Sequence, residues 1–312
     1  MSDGIRASAQ ELIQLQSSAR NIDLDSQRRA ASAIANLRPS RLRGRGVDFA
    51  ESRNYQPGDD IRHMDWRVTA RTGRPHTKVF QEERERPIIV MVDFNPSMFF
   101  GTRVALKSVF AARLAALIGW AAIHKGDRIG AFLFGGRNHH DLSPAGGRGG
   151  ALTLIRHLVS WSALDRSNIT TEGVALSEAL ERLRRVVRPG SLVFILSDFY
   201  LLDAAVERHL ARLRQHNDIV ACQILDALEL NPPPPGHYGI TDGRAMRLID
   251  TRSQGQREHY HAYFRERQRQ VRELMRKRTV PLIAFATHED GMETLRRGLA
   301  QPSVDLLAGN ER

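Results

Sequence analysis

At 312 residues, 41% of them hydrophobic, the chain is long enough to bury a sizeable core and holds one large α/β domain plus a smaller attachment. Its 46 Lys and Arg against 35 Asp and Glu give a net charge of +11, which favours an acidic partner without choosing among nucleic acid, anionic membrane and protein. The lone cysteine, Cys222, lies in an apolar segment and excludes disulfides within the chain and cysteine-based metal sites; no apolar stretch approaches the roughly 20 residues that cross a bilayer, and Met1-Ser-Asp-Gly4 begins no signal peptide, so a cytoplasmic protein without a transmembrane segment is expected.

Residues 8–38 carry helical spacing, with Leu12, Ile13, Leu15, Ile22, Leu24, Ile34 and Leu37 as buried positions and Pro39 as a stop. An N-terminal helical segment over 1–39 is therefore expected. From 40 to 86 the chain changes character. Gly44, Gly46, Pro57-Gly58 and Thr72-Gly73-Arg74-Pro75 punctuate short charged segments such as 47–55 and 76–81, which predicts a small strand-and-turn module. Within it Trp66, beside Arg62, Asp65, Arg67 and Arg71, is expected to bury its indole and lock the module onto the main sheet, with Glu82, Glu83 and Glu85 as counter-charges.

Beyond Arg86 strands and helices alternate: strand 87–93, helix 103–125, strand 128–134, helices 150–161 and 172–187, strand 191–197, helix 203–215, strand 218–225, helix 256–278, strand 280–286 and helix 289–299. Strands separated by helices of this length pair in parallel through right-handed crossovers, so 87–312 is expected to be α/β, a doubly wound, mostly parallel sheet. Pro232 to Pro235 form a stiff spacer, and 237–250, around Asp242-Gly243, reads as a hairpin.

The candidate site lies at the ends of two apolar strands. Ile88-Ile-Val-Met-Val92 runs into Asp93, Asn95 and Ser97, and Leu192-Val-Phe-Ile-Leu-Ser197 runs into Asp198. Ligands of open α/β sheets bind at the carboxyl ends of strands, so these oxygens form a possible cage for Mg²⁺ or Mn²⁺. Asp, Asn and Ser at such positions also serve as helix caps and turn formers. The Arg-rich run 265–278 offers nucleic acid as the alternative partner, but Glu273 and Lys277 are spaced to pair, and no aromatic interleaving accompanies the charge. A Mg²⁺-dependent phosphatase needs a second Asp two residues after the first, where Asn95 stands and cannot transfer protons. His139-His140 and His259-x-His261 are weak metal patterns, and Gly146-Gly-Arg-Gly-Gly150, lacking the lysine of a phosphate loop, reads as a flexible loop.

Asp93-x-Asn95-x-Ser97 resembles the metal-ion-dependent adhesion site of von Willebrand factor A domains, whose pattern is Asp-x-Ser-x-Ser. The upstream blocks Gly44-Arg-Gly-Val-Asp-Phe49, Tyr55-x-Pro-Gly-Asp-Asp-Ile-Arg62, Asp65-Trp66 and Ala70-Arg-Thr-Gly73 resemble the signature of the bacterial domain-of-unknown-function family fifty-eight. That resemblance, over roughly 40–300, implies a von Willebrand A-like fold and a non-catalytic, protein-binding role, often beside a MoxR-type AAA+ ATPase. It also implies a further Thr ligand before the next helix. By one alignment that place falls on Val174, with Thr170 or Thr171 just upstream as substitutes, so the implied metal set is Asp93, Asn95, Ser97, Thr171 and Asp198.

Overall fold

Runs of Ile, Val, Leu and Phe bounded by polar residues become the strands of the larger sheet in the computed structural model, which describes residues 4–24, 48–56, 61–81, 85–136, 138–163, 173–200, 202–241 and 246–300. Numbered in chain order, the strands are β1 Asp48–Asn54, β2 His76–Gln81, β3 Pro87–Asp93, β4 Arg128–Gly135, β5 Asn138–Ala145, β6 Leu192–Ser197, β7 Asp218–Leu225, β8 His237–Thr241, β9 Met246–Asp250 and β10 Leu282–Ala286. The helices are α1 Ala9–Ser18, α2 Trp66–Thr72, α3 Lys107–His124, α4 Gly147–Ser162, α5 Leu176–Val186, α6 Ala204–Arg214, α7 Ala227–Leu230, α8 Gln254–Lys277 and α9 Gly291–Ala300. Residues 1–35 with 86–312 form one compact unit, and 36–85 form another.

In the larger unit six strands run in the order β10-β7-β6-β3-β4-β5. All pair in parallel except β5, which is antiparallel to β4. This is the doubly wound α/β architecture, with its topological switch between β3 and β6, where the crossovers leave in opposite directions. Alternation sorts the side chains: Ile88, Val90 and Val92 pack in one layer with residues of α1, α3, α4 and α9. Ile89 and Met91 pack in the other with residues of α5, α6 and α8. Cys222, on β7, is fully buried.

Helix α3 is apolar nearly all round because it is enclosed nearly all round, as such helices must be. Its Trp120 is fully buried, and the indole Nε1 donates to the Leu12 carbonyl at 3.0 Å. The N-terminal helix is thereby part of this core, with Leu12, Ile22 and Leu24 buried. Ile34, Leu37 and Pro39 lie outside the described residues. No helix among the described residues is long and apolar enough to cross a membrane.

Several local expectations are corrected. Strand β5 occupies residues left as connection between strand 128–134 and helix 150–161, because an antiparallel edge strand needs no apolar run and this one alternates between exposed and half-buried positions. Gly147 to Gly150, also expected to be loop, open helix α4. On α8, Glu273 pairs with Arg269 instead of Lys277, and Lys277 reaches Glu207 on α6 at 2.7 Å.

In the smaller unit β1 and β2 pair antiparallel. The intervening α2 is capped by Asp65, whose carboxylate accepts from Val68 N at 3.1 Å and from the Ser52 hydroxyl at 2.6 Å, and it ends at Gly73 in the left-handed conformation. Trp66 is 66% exposed, so its indole is not buried within this unit. It is the first residue of a short helix none of whose residues is buried. Substituting Trp66→Ala should accordingly change stability by no more than about 0.5 kcal/mol, which a urea titration would check.

Candidate functional site

Two parallel strands deliver two acids to one rim. At the switch point β3 ends in Asp93 and β6 runs into Asp198, both about 95% buried at 4% and 5% exposure. Asp93 accepts from the Ser197 hydroxyl at 2.6 Å and from the Asn95 backbone at 2.8 Å. Burial, and then repulsion from Asp198, push its carboxyl up to about 7.

Asn95 is 4% exposed and clasps the backbone of Val174 from both ends: its amide oxygen accepts from Val174 N at 2.9 Å and its amide nitrogen donates to Val174 O at 3.0 Å. Both hydrogen-bonding groups of that amide are therefore used in holding the segment that enters α5. Pro96 to Phe99 make one 3₁₀ turn. Ser97 is half-buried and lines a cavity. Thr170 and Thr171 lie outside the described residues.

Sequence reasoning missed the group on which the rim turns. Lys107, the first residue of α3, is 1% exposed, and its ammonium donates to Asp198 Oδ2 at 2.8 Å and to Glu229 Oε1 at 2.7 Å. Burial alone would push this amine down; Asp198 and then Glu229 outweigh it and hold the amine above its ordinary range, fully charged. Glu229 in turn accepts from Asp226 N at 2.8 Å, closing the capping box of α7. Asp226 takes the Thr102 hydroxyl at 2.6 Å and the Thr287 hydroxyl at 3.1 Å.

The loop after β6 is held in an unusual shape. Phe199, buried at 1%, has φ +52°, a region that costs a non-glycine residue of order 1–3 kcal/mol unless its surroundings impose it. Here they do. Phe199 N donates to Ser197 Oγ at 2.9 Å, Tyr200 N to Asp198 Oδ1 at 2.9 Å, and the Arg267 guanidinium donates to the carbonyls of Phe199 and Tyr200 while lying 4.1 Å from the Tyr200 ring centre. The result presents Tyr200, 42% exposed, beside Tyr263, 46% exposed. Tyr200 also lines a cavity of about 490 Å³ together with Pro96, Phe100, Lys107, Tyr260 and Phe264. Burial, and then the charges of Glu229 and Asp226, push the Tyr260 hydroxyl up to about 12.

The structure thus sets Asp93 beside Asn95 and Asp198, with Ser97 lining the adjoining cavity next to Asn95 and Lys107, and it places a buried ammonium among them. Asn95 already holds Val174, and Asp198 and Glu229 already neutralise Lys107, so a divalent ion would have to share its carboxylates with a buried ammonium. Among the described residues no three His, Cys, Asp or Glu side chains form a group able to hold a metal ion. The donor set does not fit the cation while Lys107 is in place.

Other candidates resolve locally. His139 and His140 stand on β5, His139 against Arg182 at 2.6 Å and His140 stacked on His157 at 4.5 Å; His259 and His261 lie on α8. On α8, Arg269 bridges Glu266 and Glu273, so its charge is met on its own helix.

Because Asp93 titrates near 7 in the folded chain and near 3.8 when unfolded, the folded state binds the extra proton between these values. Its stabilising contribution is complete below about pH 4 and is lost as pH rises through 7, by at most about 4 kcal/mol at 1.36 kcal/mol per pKa unit. Asp93→Asn should flatten this fall in the unfolding free energy between pH 4 and 8; an unaltered slope would assign the pH dependence to another group.

The model of the family described as "Protein of unknown function DUF58" matches residues 51–270. An uncharacterized protein of Mycobacterium tuberculosis is 28% identical over 269 residues, covering 86% of this chain and 83% of that protein, and one of Mycobacterium bovis gives the same figures. Among solved structures, conserved hypothetical protein BatB from Bacteroides thetaiotaomicron superposes with a TM-score of 0.43 at 14% identity, over 70% of this chain and 98% of that one. A von Willebrand factor type A structure from Catenulispora acidiphila gives 0.37 at 12%, over 73% of this chain and 44% of that one.

Proposed function

This chain belongs to the family described as Protein of unknown function DUF58, and on that premise we propose that it is a non-catalytic adaptor that binds a protein partner at the carboxyl-end rim of its sheet. The observation that carries this reading is the aromatic ledge of Tyr200 and Tyr263, both exposed and both facing Arg267, with Tyr200 at the edge of the cavity. Exposed tyrosines held rigid beside an arginine lose little side-chain freedom on binding, and these residue types dominate protein–protein hot spots. The net charge of +11 adds attraction toward an acidic surface. A MoxR-type AAA+ ATPase or its client is the proposed partner, on family resemblance, and the cytoplasm the proposed location.

The test is a titration of the purified chain against a MoxR-type ATPase from the same organism. Tyr200→Ala and Tyr263→Ala should each weaken binding about 30-fold, the ~2 kcal/mol of a hot-spot residue, and raised salt should slow association. Wild-type affinity in both variants would remove the rim from the interface; absence of binding by the wild-type chain would remove the ATPase as partner.

A further inference from the structure

A rim that gathers Asp93, Asp198 and Glu229 within one buried cluster requires a cation, and the chain supplies one. Lys107 enters from α3 and joins a carboxylate following β6 to one on α7, drawing three separate elements together through one ammonium. Of its three N–H groups two are used on these carboxylates, and the Phe100 ring centre lies 5.9 Å from the nitrogen.

Mg²⁺ makes different demands. It requires near-octahedral oxygen coordination at about 2.0–2.1 Å and keeps several waters. The Asn95 amide oxygen already accepts from Val174 N, and with the amide nitrogen on Val174 O this clasp fixes the direction in which its second lone pair can point. Asp198 already accepts from Tyr200 N at one oxygen and from Lys107 at the other, and a divalent ion coming within a few ångström of that ammonium would be repelled by it. A divalent ion would therefore have to share these carboxylates with the ammonium that already holds them.

We propose that Lys107 is the resident cation of this rim: from within the chain its ammonium provides the charge bridging that a divalent ion provides in an oxygen cage, so the rim is assembled without Mg²⁺ or Mn²⁺ and is closed to them. This concerns what holds the rim and stands or falls apart from the adaptor reading.

The experiment follows Mn²⁺ by electron paramagnetic resonance as the full chain is added, alongside melting curves with Mg²⁺ or EDTA. Wild-type chain should leave the free Mn²⁺ signal undiminished at millimolar ion, and its melting temperature should be the same in Mg²⁺ and EDTA. Lys107→Met strips the cation from the carboxylates and should make the melting temperature rise with Mg²⁺. Mn²⁺ uptake by the wild-type chain that disappears in Asp93→Ala overturns the proposal, as does a folded Lys107→Met variant indifferent to Mg²⁺. If Lys107→Met fails to fold, the wild-type Mn²⁺ titration decides alone. None of these outcomes bears on whether a partner binds the tyrosine ledge, which the tyrosine substitutions read separately.

Discussion

Replacing Lys107 with methionine should lower the unfolding free energy by about 3–5 kcal/mol, a large part of the 5–15 kcal/mol that holds most domains folded. The side chain is 1% exposed, so methionine fills much of the volume and the loss is electrostatic. Asp198 and Glu229 are left as buried carboxylates with no ammonium between them, and each must protonate or draw in water. The asymmetry of buried ion pairs gives the control. Lys107→Met combined with Asp198→Asn and Glu229→Gln removes every charge of the triad and should recover most of the lost stability, because a neutral cluster has little desolvation to offset. Urea unfolding of the single and triple variants measures both. Equal losses in the two would place the effect in packing instead of charge.

The second large effect is expected at Trp120. Trp120→Ala should cost about 3–5 kcal/mol, since the indole is fully buried between α3 and the N-terminal helix and its removal leaves a cavity in the main core. Trp120→Phe keeps most of the apolar contact and loses only the indole N–H bond to the Leu12 carbonyl, which keeps its place in the α1 ladder, so it should cost about 1 kcal/mol. Thermal unfolding with matched urea titrations separates the two terms. A Trp120→Ala chain as stable as wild type would mean that α1 contributes nothing to the fold.

These tryptophans show where sequence reading succeeds and fails. The parallel strands were legible because a strand buried on both faces has to be a continuous apolar run, and Asp93 and Asp198 were legible because each ends one. An aromatic among charges suits a buried ion-pair cluster and an exposed helix start equally well, and within its own unit Trp66 is the latter, the first residue of the short capped α2. Edge strand β5 gave no apolar signal because one of its sides has no neighbouring strand and much of it meets solvent.

Lys107 was readable in principle. A lysine at the head of the nearly unbroken apolar stretch Val109 to Ile123, interrupted chiefly by Arg113, cannot stay in water if the helix is enclosed, so a buried acid had to exist for it. The spacing Asp226-x-x-Glu229 was likewise a visible capping box. What sequence could not supply was the convergence of α3, the end of β6 and α7, whose charged residues lie 91 and 122 positions from the lysine. The double clasp of Asn95 on Val174 was hidden for the same reason, being a contact across 79 positions.

Cys222, the sole thiol of the chain, sits on a strand flanked by two others, and burial raises its pKa far above that of a free cysteine. A thiol there is chemically silent until β7 itself is exposed. The chain therefore carries a native clock for its own opening: the rate at which a thiol-reactive dye labels Cys222 in dilute denaturant, compared with the rate for the unfolded chain, reads the free energy of the opening that uncovers the middle of the sheet, without an engineered label.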